Sequence, residues 1–218
     1  FEHLFGPLSD KTVLALLPSY LENGDSSLVF MVNHFIDVAA SNSQFVSDPL
    51  VIVTLLNSLK ERDQPTLLIG VSYALLDMAE RHSFDWSGLS VMETGGMKGR
   101  KKELTRGELH RALMLGFPSS SIHSEYGMTE LLSQAYAVDG EWFSTPPWMR
   151  VYITSVSDPF HVLGPNQRGL LAFIDLANVH GCSFIQTRDI GIINSSGLFK
   201  VEGRLDNSDI RGCNLLYT

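Results

Sequence analysis

Residues 66–94 read TLLIGVSYALLDMAERHSFDWSGLSVMET, and this stretch decides the fold. Its first six residues form a short apolar run and predict a buried strand. Residues 73–82 carry apolar side chains at helical spacing, which predicts the helix that follows. Residues 89–93 predict the next strand. The order strand, helix, strand is typical of a parallel sheet covered by helices.

Two further helices are predicted on either side of this stretch. Asp48 before Pro49 has the pattern of a helix N-cap followed by proline at the first helical position. Apolar residues then recur on one face of that helix, namely Leu50, Val53, Leu56 and Leu59. Thr105 and Glu108 have the spacing of a capping box, and the helix that they begin should end at Gly116. Strand and helix units should therefore extend from about residue 48 to residue 136, with a third strand at residues 121–124.

The sequence changes character after Tyr136. Prolines and glycines separate short β-type runs at residues 149–156, 169–176, 183–186, 190–193 and 198–201. We therefore predict an α/β protein with two parts. A parallel sheet with flanking helices should occupy residues 1–137, and a β-rich lobe should occupy residues 138–218.

Composition argues against several classes of function. The chain has 218 residues and a formal net charge of -8, which argues against a protein that coats nucleic acid, although a nucleotide could bind as a small ligand. Its apolar runs are shorter than the roughly 18 residues that span a bilayer. Cys182 and Cys213 lack metal-ligand spacing, so neither a disulfide framework nor a zinc site is indicated. A reducing cytoplasm fits best, and the start at Phe1 without a secretion signal indicates a piece of a longer protein.

Two loops follow predicted strands and should share the carboxyl edge of the sheet, where open α/β sheets bind ligands. In Thr94-Gly95-Gly96, the paired glycines would let the backbone approach a flat ring. In Tyr126-Gly127-Met128-Thr129-Glu130, the tyrosine offers an aromatic face and the glutamate offers a carboxylate to a magnesium-bound phosphate. Spacing alone favours a plainer interpretation, in which a glycine turn precedes a helix with Glu130 in its first turn.

The string Tyr126-Gly127-Met128-Thr129-Glu130 resembles the most diagnostic motif of the adenylate-forming superfamily, which includes acyl ligases, luciferases and peptide-synthetase adenylation domains. Three other segments resemble that superfamily in the same order along the chain. They are Gly95-Gly96, Thr187-Arg188-Asp189 with arginine in place of the family's glycine, and Gly203-Arg204-Leu205-Asp206. The resemblance implies the fold of the superfamily's large N-terminal domain.

The resemblance also implies binding roles toward ATP or AMP and Mg²⁺. The nucleotide-binding residues would be Gly95, Gly96, Tyr126, Gly127, Asp189 and Arg204. Tyr126 would stack on adenine, and Asp189 would hold the ribose hydroxyls with Arg204 close by. Thr129 and Glu130 would be catalytic residues that face phosphate, with Glu130 also on the magnesium ion.

Within the superfamily, the chain most resembles the acyl-protein synthetases of bacterial luminescence, the LuxE-like proteins. The likeness rests on residues 16–21, 24–32, 93–102 and 204–215. These enzymes convert a fatty acid to acyl-AMP and then take the acyl group onto a cysteine near their C-terminus, a place that Cys213 occupies. The resemblance implies a ligase that activates a carboxylic acid, with an acyl-reductase or an acyl-acceptor protein as its partner.

Two departures from the family keep alternatives open. No Ser/Thr/Gly-rich phosphate loop occurs in these residues, so the segment by itself should be incomplete for catalysis. The chain also stops 12 residues after Asp206 (218 minus 206), which leaves no room for the C-terminal domain of ordinary acyl-CoA ligases. The alternatives are an acyl-CoA ligase of the phenylacetate type and a non-catalytic AMP-binding or scaffold module.

Weaker signals have plainer interpretations. The basic residues between positions 98 and 102 are interpreted as a solvated turn, with contact to phosphate or to an acidic partner as the alternative. His34 and His123 are interpreted as packed, hydrogen-bonded histidines. Cys182 is interpreted as a small buried residue within a β-type run.

Overall fold

The computed structural model describes residues 1–18, 26–95 and 104–205, which form two compact units. The first unit contains residues 1–129 and 136–141. The second unit contains residues 130–135 and the chain from residue 142 onward. The backbone therefore leaves the first unit at residue 130, returns to it at residue 136 and leaves it again after residue 141. The predicted division near residue 138 stays a prediction.

The first sheet has six strands in the order β2-β1-β3-β4-β5-β6. Their bounds are β1 Thr12–Leu16, β2 Gln44–Phe45, β3 Thr66–Val71, β4 Leu89–Thr94, β5 Ser121–Tyr126 and β6 Ala135–Ala137. Strand β1 pairs in parallel with β2 and β3, and parallel pairing continues from β3 to β4 and from β4 to β5. Every residue of β1 and β3 is buried, which is typical of parallel strands covered on both faces. The predicted parallel sheet is confirmed.

Two of the helices begin at the predicted caps. The helices are α1 Glu2–Phe5, α2 Ser27–Val38, α3 Pro49–Glu61, α4 Ser72–Arg81 and α5 Arg106–Gly116. At the start of α3, Asp48 Oδ1 accepts a hydrogen bond of 2.9 Å from the N–H of Leu50. At the start of α5, Thr105 and Glu108 form the full capping box. Within the described ranges, none of these helices has the length and apolarity that crossing a membrane requires.

One expectation for the first unit is incomplete and another is wrong. The predicted alternation of strands and helices is present, but it also extends before residue 48, because β1 and α2 precede α3. On α3, the buried face carries Ile52, Leu56 and Leu59. Leu50, which was placed on that face, is 64% exposed. The predicted helical period is correct, but packing against the sheet selects a slightly different face from the one that the first turn suggests.

The second unit contains an antiparallel sheet with the strand order β10-β9-β8-β7. The strands are β7 Met149–Thr154, β8 Gly169–Asp175, β9 Phe184–Ile193 and β10 Phe199–Arg204. Phe173 on β8 and Phe199 at the start of β10 are fully buried, as is Phe143. The predicted runs at residues 183–186 and 190–193 form one strand, because residues 187–189 between them are also extended and Asp189 pairs with Arg204. The β-rich character of this part of the chain is confirmed.

Candidate functional site

The loops after β4 and β5 leave the same edge of the parallel sheet. Thr94 and Glu125 are partners in the register of β4 and β5, so Gly95 and Tyr126, the residues after them, stand next to each other at that edge. Gly95 has a φ of 71°, a left-handed conformation that favours glycine. The placement predicted for these two loops is therefore confirmed. Gly96 lies outside the described residues.

The motif that begins at the end of β5 changes from a buried residue, Tyr126, to exposed residues. Tyr126 is the last residue of β5 and is 9% exposed. Gly127, Thr129 and Glu130 are exposed. In the first unit, Thr129 Oγ1 lies 3.3 Å from the hydroxyl of Ser27 in the first turn of α2. No helix follows Glu130, so the plainer interpretation of this segment as a helix start is wrong.

Beneath the Gly95 loop lies a buried ion pair that the sequence analysis did not identify. Glu93, near the end of β4, is 1% exposed, and its Oε1 accepts a hydrogen bond of 2.6 Å from Arg106 Nη1. The hydroxyl of Ser72, the first residue of α4, lies 2.8 Å from Glu93 Oε2 and 2.8 Å from the carbonyl oxygen of Gly95. This hydroxyl has one proton and can donate it to either acceptor. Ser72 thus lies between the ion pair and the backbone of the predicted adenine loop.

Helix α5 supplies two of the groups that face Glu93. Arg106 and His110 are four residues apart and therefore share a face of the helix. His110 Nε2 lies 3.8 Å from Glu93 Oε1 and 2.8 Å from the hydroxyl of Ser124. Burial by itself opposes ionisation of Glu93, but the charge of Arg106, together with the polar groups of His110, Ser124 and Ser72, outweighs it and lowers the pKa of Glu93. Glu93 is therefore a charged group in the interior.

The pKa of Glu125, on the neighbouring strand β5, is shifted in the opposite direction to that of Glu93. Its Oε2 accepts a hydrogen bond from the hydroxyl of Thr94, and both side chains are buried. Burial raises the pKa of Glu125 to about 7, against the opposing effect of the Thr94 hydrogen bond; the charge of Glu93 raises it further, and Arg106 lowers it. Burial, and then the charge of Glu125, also raise the pKa of Tyr136 on β6. Two carboxyl groups on adjacent strands thus differ in charge near neutral pH.

The two histidines singled out from the sequence have different environments. His123 is buried and donates from Nδ1 to the carbonyl oxygen of Val138 at 2.6 Å. Burial lowers the pKa of His123, although the Val138 carbonyl and Asp139 oppose this. Its interpretation as a packed, hydrogen-bonded histidine is confirmed. His34 is exposed on the outer face of α2, so the same interpretation is wrong for that residue.

In the second unit, the structure brings Asp189 and Arg204 together. They are register partners on β9 and β10, and Arg204 Nε lies 3.9 Å from Asp189 Oδ1. The Arg204 side chain is 73% exposed, whereas that of Asp189 is 16% exposed. Thr187 Oγ1 accepts a hydrogen bond of 3.0 Å from Asp189 N and donates one of 2.9 Å to Leu171 O. The Thr187-Arg188-Asp189 segment is thus part of a strand, with Asp189 held from its backbone.

A second buried carboxylate anchors the chain after the Glu130 motif, and the sequence analysis missed it too. Asp175, the last residue of β8, has an exposed fraction of 0%. Its Oδ2 accepts hydrogen bonds from the N–H groups of Leu132 at 2.9 Å and Ser133 at 2.8 Å. Its Oδ1 accepts from the Ser133 hydroxyl at 2.7 Å and from Ala177 N at 3.1 Å. This carboxylate therefore fixes the backbone two residues after Glu130.

The turn after β8 also holds Glu130 itself. Asn178 Nδ2 donates to the carbonyl oxygen of Glu130 at 2.9 Å and to that of Cys182 at 3.0 Å. Cys182 is an exposed, free thiol, which overturns its interpretation as a buried residue in a β-type run. The physical reason is that Cys182 lies in the connection between β8 and β9, before the strand begins at Phe184.

Some predicted residues lie outside the described part of the chain. They are Gly96, Asp206, Cys213 and the basic residues of positions 98–102. Among the described residues, no group of three or more His, Cys, Asp or Glu side chains converges in a way that could hold a metal ion. The carboxylate of Glu130, the predicted magnesium ligand, is exposed, and its role as a ligand stays a prediction.

The comparisons with known proteins bear on the fold. No family model matches the chain, and no curated protein matches it. ATP-bound MatB from Rhodopseudomonas palustris matches with a TM-score of 0.66 and 17% identity, over 90% of this chain and 41% of that one. O-succinylbenzoate Coenzyme A synthetase (MenE) from Bacillus subtilis, in complex with AMP, matches with a TM-score of 0.62 and 16% identity, over 95% of this chain and 44% of that one. McyG A-PCP complexed with phenylalanyl-adenylate matches with a TM-score of 0.65 and 13% identity, over 93% of this chain and 41% of that one.

These matches confirm the predicted fold class. The chain has the mixed α/β fold of the N-terminal domain of adenylate-forming enzymes, with a parallel sheet flanked by helices and an antiparallel sheet. It spans less than half of the length of each of these three structures, since it covers 41%, 44% and 41% of them.

Proposed function

We propose that the chain is part of a ligase that uses ATP to activate a carboxylic acid as an acyl-adenylate. The observation that carries the proposal is the position of the Gly95 loop and the Tyr126 motif, which leave adjacent parallel strands in register at the carboxyl edge. Two structures with this fold are bound to ATP or AMP, and a third to phenylalanyl-adenylate. The order of the sequence motifs supports the same function.

In the first unit, the proposed nucleotide contacts come from the two loops. Gly95 and Gly96 would lie against adenine, where a side chain would keep the ring away from the backbone. Tyr126 would offer its ring to the base, and Gly127 would let the phosphates approach the chain. Thr129 would direct its exposed hydroxyl at a phosphate oxygen.

In the second unit, the proposed contacts are Asp189 and Arg204. A carboxylate can accept hydrogen bonds from both hydroxyls of a ribose, and the backbone contact to Thr187 already restrains Asp189. The guanidinium of Arg204 would stabilise negative charge that develops on the α-phosphate. The 3.9 Å separation of the two side chains supports their acting on neighbouring parts of one nucleotide.

Glu130 fits a magnesium ion that arrives with ATP. Magnesium prefers hard oxygen ligands and keeps several waters and phosphate oxygens, so one exposed carboxylate is a suitable protein contribution. When bound, the ion would neutralise charge on the phosphates. The contacts of Asn178 and Asp175 would keep the Glu130 backbone in place meanwhile.

We further propose that the acid is a fatty acid and that Cys213 is the first acceptor, as in the LuxE-like proteins. The thiolate sulfur of Cys213 would bond to the acyl carbon while the bond from that carbon to the AMP oxygen breaks. AMP leaves with the electron pair, and the thiol proton goes to solvent. The product would be a thioester for an acyl-reductase or an acyl-acceptor protein. In the phenylacetate-type alternative, the thiol of CoA takes the place of Cys213.

The activation step is tested by acid-dependent exchange of pyrophosphate into ATP with the full-length protein. Glu130→Ala and Asp189→Ala should each slow the exchange. The expected decrease in rate corresponds to a loss of about 2–4 kcal/mol of transition-state stabilisation. Glu61→Ala, which removes an exposed carboxylate from the end of α3, is the matched control and should exchange at the parent rate. Near-parent rates in both site variants would contradict the assignment. A folded full-length protein without exchange would favour the scaffold alternative.

The acceptor is tested with ATP and a labelled fatty acid, followed by neutral hydroxylamine, which cleaves thioesters. Parent enzyme and Cys182→Ser should both carry label that hydroxylamine removes, and Cys213→Ser should carry none. Cys182 is a useful control because its thiol is exposed and free. Label that persists in Cys213→Ser, or that resists hydroxylamine in the parent, would move the acceptor elsewhere. Residues 1–218 by themselves should bind AMP weakly and support no exchange.

A further inference from the structure

Ser72 lies directly beneath the Gly95 loop. It is the first residue of α4 and follows Val71, the last residue of β3, without an intervening loop. Val71 and Thr94 are register partners on β3 and β4, so the residues after them, Ser72 and Gly95, are neighbours at the carboxyl edge. Ser72 is 1% exposed, whereas Gly95 is exposed. A buried side chain thus contacts a loop residue that a ligand can reach.

The Ser72 hydroxyl is surrounded by acceptor oxygens. Its Oγ lies 2.8 Å from Glu93 Oε2 and 2.8 Å from the carbonyl oxygen of Gly95, with that of Thr94 at 3.4 Å. The Glu93 carboxylate, which is paired with Arg106 at 2.6 Å, can only accept, and so can the Gly95 carbonyl. The Ser72 proton is therefore the donor that these two oxygens share, either in turn or in a bifurcated hydrogen bond.

Gly95 needs such a contact in order to hold one backbone conformation. Its φ of 71° is open to glycine, but glycine also populates many other conformations at little cost. The direction of its carbonyl group depends on the same backbone torsions that place the loop. A hydrogen bond to that carbonyl selects one loop conformation, and water does not compete for the Ser72 hydroxyl because this side chain is buried.

Loss of the hydroxyl would act on the loop in a defined direction. A carboxylate oxygen and a carbonyl oxygen both carry negative charge, and they repel each other when no proton lies between them. The ion pair with Arg106 keeps Glu93 in place, whereas the Gly95 carbonyl belongs to an exposed residue and can turn toward solvent. The loop is therefore the part that would move.

We infer that Ser72 is a positioning residue for the nucleotide: its hydroxyl holds the Gly95 carbonyl inward and so keeps the loop in the conformation that receives adenine. The inference rests on the proposed function, since it concerns the same nucleotide site. Ser72 is buried below the loop, so it acts through Gly95 and not by contact with the nucleotide. Its effect should appear in nucleotide binding and not in the chemical step.

The size of the effect follows from the strength of one hydrogen bond. If only the held conformation binds nucleotide, the apparent Kd rises in inverse proportion to the population of that conformation. An ordinary hydrogen bond changes such a population by about three- to tenfold. Ser72→Ala should therefore raise the Kd of AMP and the KM for ATP by about three- to tenfold. Its maximal exchange rate should stay near that of the parent.

The experiment compares full-length parent, Ser72→Ala and Ser124→Ala by calorimetry with AMP and by acid-dependent pyrophosphate exchange. Ser124→Ala is the matched control, because it also removes a buried hydroxyl beside Glu93, one that bonds with His110. The control should keep the parent's Kd for AMP and KM for ATP. Equal increases in both variants would overturn the inference, because any hydroxyl lost near Glu93 would then have the same effect as the one beneath Gly95.

The kinetic readout separates positioning from a loss of stability. A variant that is partly unfolded has fewer active molecules, which lowers the maximal exchange rate and leaves the KM for ATP unchanged. That result, or parent values of both KM and Kd in Ser72→Ala, would overturn the inference while AMP binding and the proposed function stay intact. A full-length parent that binds no AMP and shows no exchange would overturn the proposed function, and the inference with it.

Two further substitutions cover the case in which Ser72→Ala does not fold. Ser72→Thr keeps the hydroxyl and should keep the parent's Kd for AMP. Ser72→Cys places a thiol, which is a weak donor, at the same position, and its Kd should be raised. A cysteine variant that binds AMP as tightly as the parent, or a threonine variant that binds it as weakly as the cysteine variant, would overturn the inference.

Discussion

The carboxyl edge of the first sheet and the turn around Asp175 both bury carboxyl groups, but they stabilise them by different means. At the edge, Glu93 and Glu125 contact other side chains, chiefly Arg106 and Thr94. At the turn, Asp175 accepts three of its four hydrogen bonds from backbone N–H groups. Side-chain partners can change charge or rotamer, whereas backbone donors cannot. The edge is thus suited to respond to its surroundings, and the turn is suited to hold the chain still.

The largest expected effect comes from breaking the ion pair at the edge. Arg106→Ala would leave Glu93 buried without its cation, and removing one partner of a buried pair costs about 3–5 kcal/mol. Urea denaturation at neutral pH should show this loss in the free energy of unfolding. A loss below about 1 kcal/mol would mean that the charge of Arg106 does not stabilise the Glu93 carboxylate.

The next prediction distinguishes Glu125 from Glu93 by how folding stability depends on pH. The pKa of Glu125 is raised in the folded protein from 4.5 to about 7, so its contribution to stability is fully present below pH 4.5 and is lost as pH rises through 7. The difference between the unfolded and folded pKa values of Glu125 corresponds to about 3 kcal/mol of stability. The parent should therefore lose that amount relative to Glu125→Gln between acid and about pH 8. Glu93, with a lowered pKa, has the opposite sign, since its contribution is present above its unfolded pKa and is lost as pH falls through its folded pKa.

Urea denaturation of both proteins at a series of pH values measures the difference directly. Taking parent minus Glu125→Gln removes the contributions of groups that do not interact with Glu125, and leaves Glu125 together with its coupling to Glu93. A difference that stays constant with pH, or that grows in favour of the parent as pH rises, would contradict the assigned state of Glu125.

A smaller effect is expected at the turn. Asp175→Asn keeps one acceptor oxygen and replaces the other with an NH₂ group that faces backbone donors, so about 1–3 kcal/mol of stability should be lost. Hydrogen exchange at the amides of Leu132 and Ser133 should become faster in the same variant. Unchanged protection of both amides would show that the backbone after Glu130 does not depend on this carboxylate.

The smallest effect serves as the reference for the others. Arg168 Nε lies 2.9 Å from Glu202 Oε2, but its side chain is 63% exposed. An exposed pair contributes about 0–1 kcal/mol, so Arg168→Ala should fall within that range in the same denaturation assay. A loss as large as that of Arg106→Ala would indicate that burial is not what distinguishes the two pairs.

The sequence predicted the parts of the site that depend on local pattern. The loop positions of Gly95 and Tyr126 follow from the ends of two strands, and both were placed at the correct edge. Glu93, Glu125 and Asp175 were missed, although each is an acidic residue at or near the end of a predicted strand. That pattern is the signal that could have found them. Whether such a residue faces solvent or the interior is decided by neighbours that are distant in sequence.

By itself, the sequence determined the helix caps, the strand-helix alternation and the order of the motifs, because each depends on residues within a few positions of one another. The caps at Asp48 and Thr105 needed only the next three residues. Tertiary structure alone decided which acids are paired, since Arg106 is 13 residues from Glu93, Glu125 is 31 from Thr94, and Ser133 is 42 from Asp175. Contacts over such separations are made only by the tertiary fold. The partners that the fold brings to Glu93 and to Glu125, rather than burial by itself, give these two carboxyl groups their different charges.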